Sequence, residues 1–356
     1  MLGLLSVGIS AQNAVPIGIA GLTHSHVHGA LQTISQKNAP VKIVGIAESN
    51  RDLAQRYARQ YGFDLSIVFD TLEEMIEKTR PDGVMDFNSI YDHLKTVEVC
   101  APRGIHVMVE KPLAVNMEHA GKMAGLARKH NILLLTNYET TWYASNHKAG
   151  ELVNGKVVFN DIRKVIVCDG HQGPKEIGVN PEFLQWLTDP VLNGGGAVVD
   201  FGCYGANLMT WLMKNQRPVS VHATLQQIKP DVYPRVDDEA TIILTYPRAQ
   251  AIIQASWNWP FSRKDMEVYG NNGYIKAPDA SHISYRSPGK NEEVTEQLPH
   301  LPVPYNNPFD YFAGAINKSI QVSQSDLSSL ENNLLVVEIL DAARESAKKG
   351  KVITLK

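Results

Sequence analysis

The chain has 356 residues, of which 44% are hydrophobic and 20% charged, values typical of a folded globular protein with about two domains. Its formal net charge of −3 provides no basic surface for nucleic acid. No apolar run approaches the roughly 20 residues of a membrane helix, and three widely spaced cysteines form neither a metal pattern nor an even-numbered disulfide framework.

The N-terminal residues have the apolar pattern of a secretory signal peptide. Residues 2–9 are apolar, and Ser10, Ala11 and Gln12 follow as in a cleavage site, although the positively charged n-region is missing. We expect residues 1–13 to be a signal-peptide remnant outside the fold, and the protein to be periplasmic or secreted. The alternative is a slightly apolar tail on a cytoplasmic protein.

Strands and helices alternate from residue 14 to about residue 148. Two short apolar strands, at 15–20 and 41–47, flank a turn and a helix from about Val27 to Ser35. The alternation continues through strands at 82–87, 104–109 and 132–136 and helices at 51–61, 72–78, 93–101 and 117–130. This repeat predicts a Rossmann-type doubly wound parallel sheet with right-handed crossovers.

The turn after the first strand occupies the position of a dinucleotide-binding glycine motif. Gly21 matches the first glycine of G-x-G-x-x-G, but Thr23 and His26 replace the other two. We expect the N-terminus of the following helix to bind a pyrophosphate, with Thr23, Ser25 or a histidine adding hydrogen-bond donors.

Glu48 ends the second strand, where dinucleotide-binding folds carry an acidic residue. Its carboxylate would accept hydrogen bonds from the adenosine ribose and repel a 2′-phosphate, so we expect NAD as the cofactor. NADP stays open, because Ser49, Asn50 and Arg51 could receive a 2′-phosphate.

Three histidines, His24, His26 and His28, alternate along the first turn and raise the question of a metal site. Histidine metal sites usually include a carboxylate or thiolate, and the sequence places none next to these histidines. We therefore expect no metal, and assign His24 and His26 to the cofactor.

The step Glu110-Lys111-Pro112 follows an apolar strand and precedes a helix. Open α/β sheets bind their ligands at the carboxyl ends of their strands, so this lysine is aimed at the ligand edge. The alternative for an isolated Lys-Pro is a lysine that extends to solvent.

After about residue 148 the pattern changes to that of an α+β domain with a mainly antiparallel sheet. Strands are predicted at 165–168, 240–246, 251–257, 266–269, 274–276 and 352–355, and helices at 181–187, 208–213 and 327–348. We expect domains at 14–148 and 149–356, with the C-terminal helix and strand free to pack back on the first domain.

The chain resembles the Gfo/Idh/MocA family over nearly its whole length. Three features carry the resemblance: the Glu110-Lys111-Pro112 step, His93, and the run from Gly194 to Asn207 with its glycine triplet. The family usually has His where this chain has Tyr204 and Asp where it has Asn207. With a tyrosine at this position, the chain resembles the branch of the family that contains glucose-fructose oxidoreductase and dihydrodiol dehydrogenase.

The resemblance implies a nicotinamide cofactor and a carbohydrate or polyol substrate. It adds residues at later strand ends to the cofactor site expected at the first turn. The cofactor-binding residues predicted in this way are Gly21, Thr23, His24, Ser25, His26, Glu48, Asn88, Ser89, His93, Glu110 and Lys111.

Lys111, Asp200 and Tyr204 are the predicted catalytic residues. A lysine ammonium near Tyr204 would favour the phenolate and lower the pKa of the tyrosine. Asp200 lies four residues before Tyr204, which places both on one face of a helix. The alternatives are a core aromatic for Tyr204 and a helix N-cap for Asp200.

Substrate contacts are expected from Asp200, Tyr204, Tyr138 and His171. His171 lies in a loop rich in Gly and Pro, where it is either a substrate-binding base or a surface residue. The rings of Trp257 and Trp259 could stack on a sugar, but we favour a position in the core or at a subunit interface for them. We expect a homodimer or homotetramer built on the antiparallel sheet.

The leading functional hypothesis is an NAD-dependent oxidoreductase acting on a secondary hydroxyl or ketone of a sugar, glycoside or cyclitol. A first alternative retains NAD and hydrolyses glycosides through transient oxidation at C3 and elimination. A second alternative is a binding protein with an inactive site, which the two lost glycines support and the intact Lys111, Asp200 and Tyr204 oppose.

Overall fold

The computed structural model describes residues 14–36 and 39–355. The predicted signal-peptide remnant, residues 1–13, lies outside the described residues. The described chain forms two sheets, one of six strands and one of nine. Among the described helices, none combines the length and apolar character needed to cross a membrane.

The first sheet is parallel throughout, which confirms the predicted doubly wound architecture. Its strand order is β3-β2-β1-β4-β5-β6, so the order reverses between β1 and β4. Ligands of such sheets bind at the carboxyl ends beside this reversal. The strands are β1 (Val15–Ala20), β2 (Val41–Ala47), β3 (Val68–Phe69), β4 (Gly83–Asp86), β5 (His106–Glu110) and β6 (Leu134–Asn137).

Helices connect these strands, and their ends follow local capping signals. The side chain of Asn50 accepts a hydrogen bond from the Leu53 amide, and Gly62 ends the same helix in a left-handed conformation. Thr71 and Asn116 cap two further helices in the same way. The helices are α1 (Val27–Thr33), α2 (Arg51–Tyr61), α3 (Leu72–Thr79), α4 (His93–Cys100), α5 (Met117–His130) and α6 (Ala144–Asn154).

The second sheet is mainly antiparallel, as predicted. Its order is β14-β13-β12-β11-β7-β10-β9-β8-β15, and the β7–β10 pair is parallel. Sequence analysis missed β8, β13 and β14. The strands are β7 (Ile162–Gly170), β8 (Ser220–Gln226), β9 (Glu239–Thr245), β10 (Gln250–Ser256), β11 (Arg263–Gly270), β12 (Tyr274–Ala277), β13 (His282–Arg286), β14 (Val294–Gln297) and β15 (Ile353–Thr354).

Helices cover one face of this sheet and also reach the first domain. They are α7 (Pro181–Leu187), α8 (Ala197–Asp200), α9 (Gly202–Leu212), α10 (Pro308–Ile316) and α11 (Leu330–Lys349). Gly205 lets α9 lie directly on β10, because a Cβ there would be 2.5 Å from a methyl of Ile253. Phe312 of α10 packs in the core of the first sheet, and Val337 of α11 packs against the core beside α5.

Candidate active site

A buried ion pair joins the two halves of the chain at the carboxyl edge of the parallel sheet. Lys111 directly follows β5, and its Nζ donates to the main-chain oxygen of Asp200 at 3.0 Å and pairs with the Asp200 carboxylate. Asp200 is the last residue of α8. Because the two residues are only 5% and 3% exposed, the pair is withdrawn from bulk water.

The surroundings of the pair keep both groups charged. Burial raises the pKa of Asp200, but Lys111 and His171 outweigh burial and leave this pKa lowered. Burial lowers the pKa of Lys111, and Asp200 reverses that effect so that the pKa is raised. The second oxygen of the Asp200 carboxylate accepts a hydrogen bond from Trp257 Nε1 at 2.9 Å.

Trp257 is a site residue whose role sequence analysis missed. We favoured core or subunit interface for it, and the ring is indeed fully buried. Its indole N–H nevertheless donates a hydrogen bond to Asp200, so the ring fixes the orientation of that carboxylate. Its position directly after β10 was the available signal.

Tyr204 lies beside the ion pair in a buried aromatic cluster. The Nζ of Lys111 is 5.3 Å from the centroid of the Tyr204 ring, and the ring of Tyr138 packs edge-on at 5.4 Å. We predicted that the lysine would lower the pKa of Tyr204. That prediction is wrong, because burial, assisted by the Glu139 carboxylate, raises this pKa well above its usual value.

The predicted helix through Asp200 and Tyr204 is interrupted. Phe201 separates α8 from α9, so the two side chains do not share one face of a continuous helix. Asp200 is not an N-cap, since Gly196 occupies that position of α8. At this break Asp200 ends α8, and its carboxylate pairs with Lys111.

The first turn, directly after β1, requires a glycine at its start. Gly21 has φ of +76°, and a Cβ at this position would lie 2.0 Å from the amide oxygen of Asn88. Thr23 Oγ1 donates to the carbonyl of Phe87 at 3.3 Å. Ser25 is half-buried, and its carbonyl accepts from the amide of His28.

Glu48 lies in a cleft of about 270 Å³ that is also lined by Gly21, Ser49 and Asn88. Its two carboxylate oxygens accept from the amides of Leu22 at 3.0 Å and Asn50 at 2.7 Å. Each oxygen keeps a second lone pair for a ribose hydroxyl. Burial raises the pKa of Glu48. The cleft and this acceptor fit the adenosine end of a dinucleotide.

Glu110 is the centre of a second buried hydrogen-bond group. Its carboxylate contacts His26 Nδ1 at 2.8 Å and accepts from Asn137 Nδ2 at 2.8 Å, while His24 Nε2 is 4.0 Å away. Burial raises the pKa of Glu110, but His26 and Asn137 outweigh burial and leave it lowered.

The sequence places no carboxylate next to these histidines, but the fold brings Glu110 to them. His24, His26 and Glu110 place three ligand atoms within 4.8 Å of one another. However, His24 Nδ1 accepts a hydrogen bond from the His26 amide at 3.0 Å. The neutral ring therefore carries its proton on Nε2, the nitrogen that faces Glu110, which opposes metal binding through that atom.

The later strand ends supply the other predicted cofactor residues. The Asn88 side chain donates to Asp86, and Ser89 Oγ donates to Asp92 at 2.6 Å. His93 is fully buried, with Nδ1 at 3.1 Å from the Leu113 carbonyl. Its Nε2 has no partner among the described residues.

His171 follows β7, which extends further than predicted and includes Asp169 and Gly170. Its Nδ1 accepts from the Gly173 amide at 2.9 Å, so the neutral ring carries its proton on Nε2 and acts as a donor. Burial lowers the pKa of His171. The ring is partly buried and packs edge-on against Phe201 at 4.9 Å.

Tyr138, a predicted substrate contact, is fully buried, and its hydroxyl has no partner among the described residues. In contrast, Glu139 lines a cavity of about 600 Å³ beside the ion pair. His171, Phe201 and Lys264 line it as well. Sequence analysis missed Lys264, because β11 was predicted to begin two residues after it.

Two family models match the chain. A model of the oxidoreductase family with an NAD-binding Rossmann fold matches residues 13–138, and a model of the GFO/IDH/MocA C-terminal domain matches residues 161–276. The chain therefore belongs to the Gfo/Idh/MocA family, as the sequence motifs indicated. It is an NAD(P)-dependent oxidoreductase, and its first domain is an NAD-binding Rossmann domain.

Named relatives and solved structures agree with this assignment. The chain is 24% identical to a trans-1,2-dihydrobenzene-1,2-diol dehydrogenase of Xenopus tropicalis, covering 85% of this chain and 88% of the relative. The aldose-aldose oxidoreductase of Caulobacter crescentus superposes with a TM-score of 0.81 at 20% identity, covering 96% and 100% of the two chains. An inositol dehydrogenase homologue of Azotobacter vinelandii, complexed with NAD+, has a TM-score of 0.81 at 16% identity, covering 96% and 97%.

Proposed function

We propose that the protein transfers a hydride between NAD and a secondary hydroxyl or ketone of a sugar, glycoside or cyclitol. The observation that carries the proposal is the buried Lys111–Asp200 pair at the ligand edge of the sheet, beside a cavity of about 600 Å³. Relatives named for a cyclic diol, an aldose and inositol support the substrate class.

We assign a separate role at the reacting substrate oxygen to each polar residue around it. When bound, NAD supplies the hydride acceptor for the alcohol carbon. The Lys111 ammonium stabilises negative charge that develops on the substrate oxygen, and Asp200 holds the ammonium in place. We assign proton transfer to Tyr204, whose neutral phenol donates in the reducing direction, and a substrate hydrogen bond to His171 Nε2–H.

The direct test is a screen of neutral aldoses, glycosides and cyclitols with NAD, followed by the near-ultraviolet absorbance of NADH. Sugar-dependent NADH formation supports the proposal. Absence of turnover with every substrate, and with the corresponding keto sugars and NADH, contradicts it. Because the Glu48 carboxylate would accept hydrogen bonds from the adenosine ribose and repel a 2′-phosphate, we expect a lower dissociation constant for NAD than for NADP.

We also propose a homodimer or homotetramer built on the open face of the nine-stranded sheet. Ile166, Ile252 and Ile243 lie opposite one another on β7, β10 and β9 and form an apolar row on that face. The row is only half-buried in the single chain. A periplasmic or secreted location stays a proposal that rests on residues 1–13.

One observation favours the glycosidase alternative with a retained cofactor. Helix α7 lies against the first turn and α2, because Phe183 packs on His24 at 4.7 Å and Glu182 pairs with Arg56 of α2 at 2.5 Å. Such a cover would slow exchange of a dinucleotide bound below it. Steady release of nitrophenol from a nitrophenyl glycoside without added NAD would favour this alternative over net oxidation.

A further inference from the structure

Lys264 is a second lysine at the catalytic tyrosine. It is the second residue of β11, and its Nζ lies 5.1 Å from the centroid of the Tyr204 ring. The Lys111 Nζ lies 5.3 Å from the same centroid. Two ammonium groups from different domains therefore border one aromatic ring.

The two lysines differ in their access to a ligand. The side chain of Lys111 is 6% exposed and is engaged by Asp200, whereas that of Lys264 is 20% exposed and faces the cavity. Lys264 pairs with Glu139, which is itself 44% exposed and also lines the cavity. An ammonium has three N–H donors, so Lys264 keeps donors for a further acceptor.

The neighbours of this pair leave it intact. Asp169 lies directly opposite Lys264 across β7 and β11, and both oxygens of its buried carboxyl lack a partner among the described residues. Burial raises the pKa of Asp169 well above its usual value, and neither of its oxygens accepts a hydrogen bond from Lys264. The other oxygen of Glu139 accepts from the Tyr143 hydroxyl at 2.6 Å.

The cavity wall selects for a neutral ligand that both donates and accepts hydrogen bonds. It carries three Lys or Arg side chains and four Asp or Glu side chains, so it has no cationic excess for an acidic substrate. Phe201, Tyr143 and Phe261 add aromatic surface. A polyhydroxylated ring matches this mixture of donors, acceptors and apolar faces.

We propose that Lys264 and Glu139 bind the hydroxyl next to the reacting carbon, and so make the enzyme specific for neutral vicinal diols. A hydroxyl donates and accepts at once, and the adjacent ammonium and carboxylate supply both complementary groups. The inference rests on the proposed function, because it takes Lys111 and Tyr204 as the groups at the reacting oxygen.

The test compares polyols with analogues that lack one hydroxyl. The substrates are D-glucose, D-xylose and myo-inositol, each with its monodeoxy analogues, assayed with NAD in the wild type, Lys264→Met and Glu139→Gln. Wild type should prefer a polyol over one analogue by about 10- to 100-fold in kcat/KM, the range for hydrogen bonds to charged groups. In Lys264→Met this preference should disappear, because kcat/KM falls for the polyol and stays unchanged for the analogue.

Matched readouts separate the alternatives. Lys122→Met removes a surface lysine of α5 that also pairs with a glutamate, and should leave the preference unchanged. A preference retained in Lys264→Met, or an equal loss on polyol and analogue, overturns the inference while the proposed function stands. If the wild type turns over none of the polyols, the proposed function fails on these substrates and the inference fails with it.

Discussion

Lys111 keeps its charge although it is almost fully buried, because Asp200 is held against it by Trp257. Taking two charges out of water carries a desolvation penalty that their mutual attraction often does not repay, so apolar residues of similar volume can be at least as stable at such a position. Such an arrangement is expensive for stability alone, and this is why we interpret it as catalytic.

Lys111→Met keeps the apolar part of the side chain and removes the ammonium. We expect kcat to fall by about 10²- to 10⁴-fold, because the lost interaction strengthens as charge develops on the substrate oxygen. Steady-state rates at saturating substrate and NAD measure this, and a fluorescence titration should show a much smaller change in NAD affinity. Near wild-type turnover would rule out the proposed role.

The same pair predicts a pH dependence of stability. The pKa of Asp200 is lowered in the fold, so its contribution is present above about pH 3.9 and is lost as pH falls through the lowered pKa. The pKa of Lys111 is raised, so its contribution is present below about pH 10.4 and is lost as pH rises through the raised pKa.

Urea unfolding of the wild type and of Lys111→Met/Asp200→Asn across this range measures the difference. The difference in free energy of unfolding should be constant between about pH 4 and pH 10 and shrink outside these limits. A difference that does not change at acid pH would show that Asp200 is not ionised in the fold.

Residue chemistry could be predicted where it depends on neighbours along the chain. The Glu110-Lys111-Pro112 step marks a strand end, and the glycine triplet before Asp200 marks a loop that approaches it. The pKa of Tyr204 was predicted with the wrong sign, because its burial depends in part on residues distant in sequence, such as Tyr138. The contact of Glu110 with His26 was missed for the same reason.

At the scale of elements, Gly205 sets the distance between α9 and β10. Gly205→Ala places a methyl 2.5 Å from Ile253, so we expect a loss of about 1–3 kcal/mol in the free energy of unfolding. The matched control is Gly121→Ala in α5, where nothing lies within 4 Å and a gain of roughly 0.5–1 kcal/mol is expected. Urea unfolding of both variants decides, and equal effects would refute the packing argument.

Elements with a strong hydrophobic period were predicted within one or two residues, as for α2 and α5. The strands β8, β13 and β14 were missed, because their sequences mix polar and apolar residues and depend on partner strands for their conformation. The break at Phe201 was also missed. Val199, Asp200 and Gly202 around it all have low helix propensity, so the sequence carried a local signal for this break.

At the scale of the whole molecule, the open face of the nine-stranded sheet predicts an assembly. Ile252→Lys places a charge in the centre of the apolar row, so the protein should sediment as a monomer. Val352→Lys changes a 54% exposed residue outside that row and should leave the oligomer intact. A wild type that sediments as a monomer at micromolar concentration would contradict the proposal.

Because the two partners of the ion pair lie in different halves of the chain, the pair can form only after both halves have been synthesised. The half that carries Lys111 leaves the ribosome before residue 200 is made, so a nascent chain or an N-terminal fragment has the lysine without its counter-ion. Such a half-made enzyme lacks the charge that keeps the ammonium in place and the walls that enclose a sugar. With the catalytic role that we propose for Lys111 and Asp200, oxidation or reduction of a substrate therefore requires that the second half has docked, and misassembled variants should be inactive.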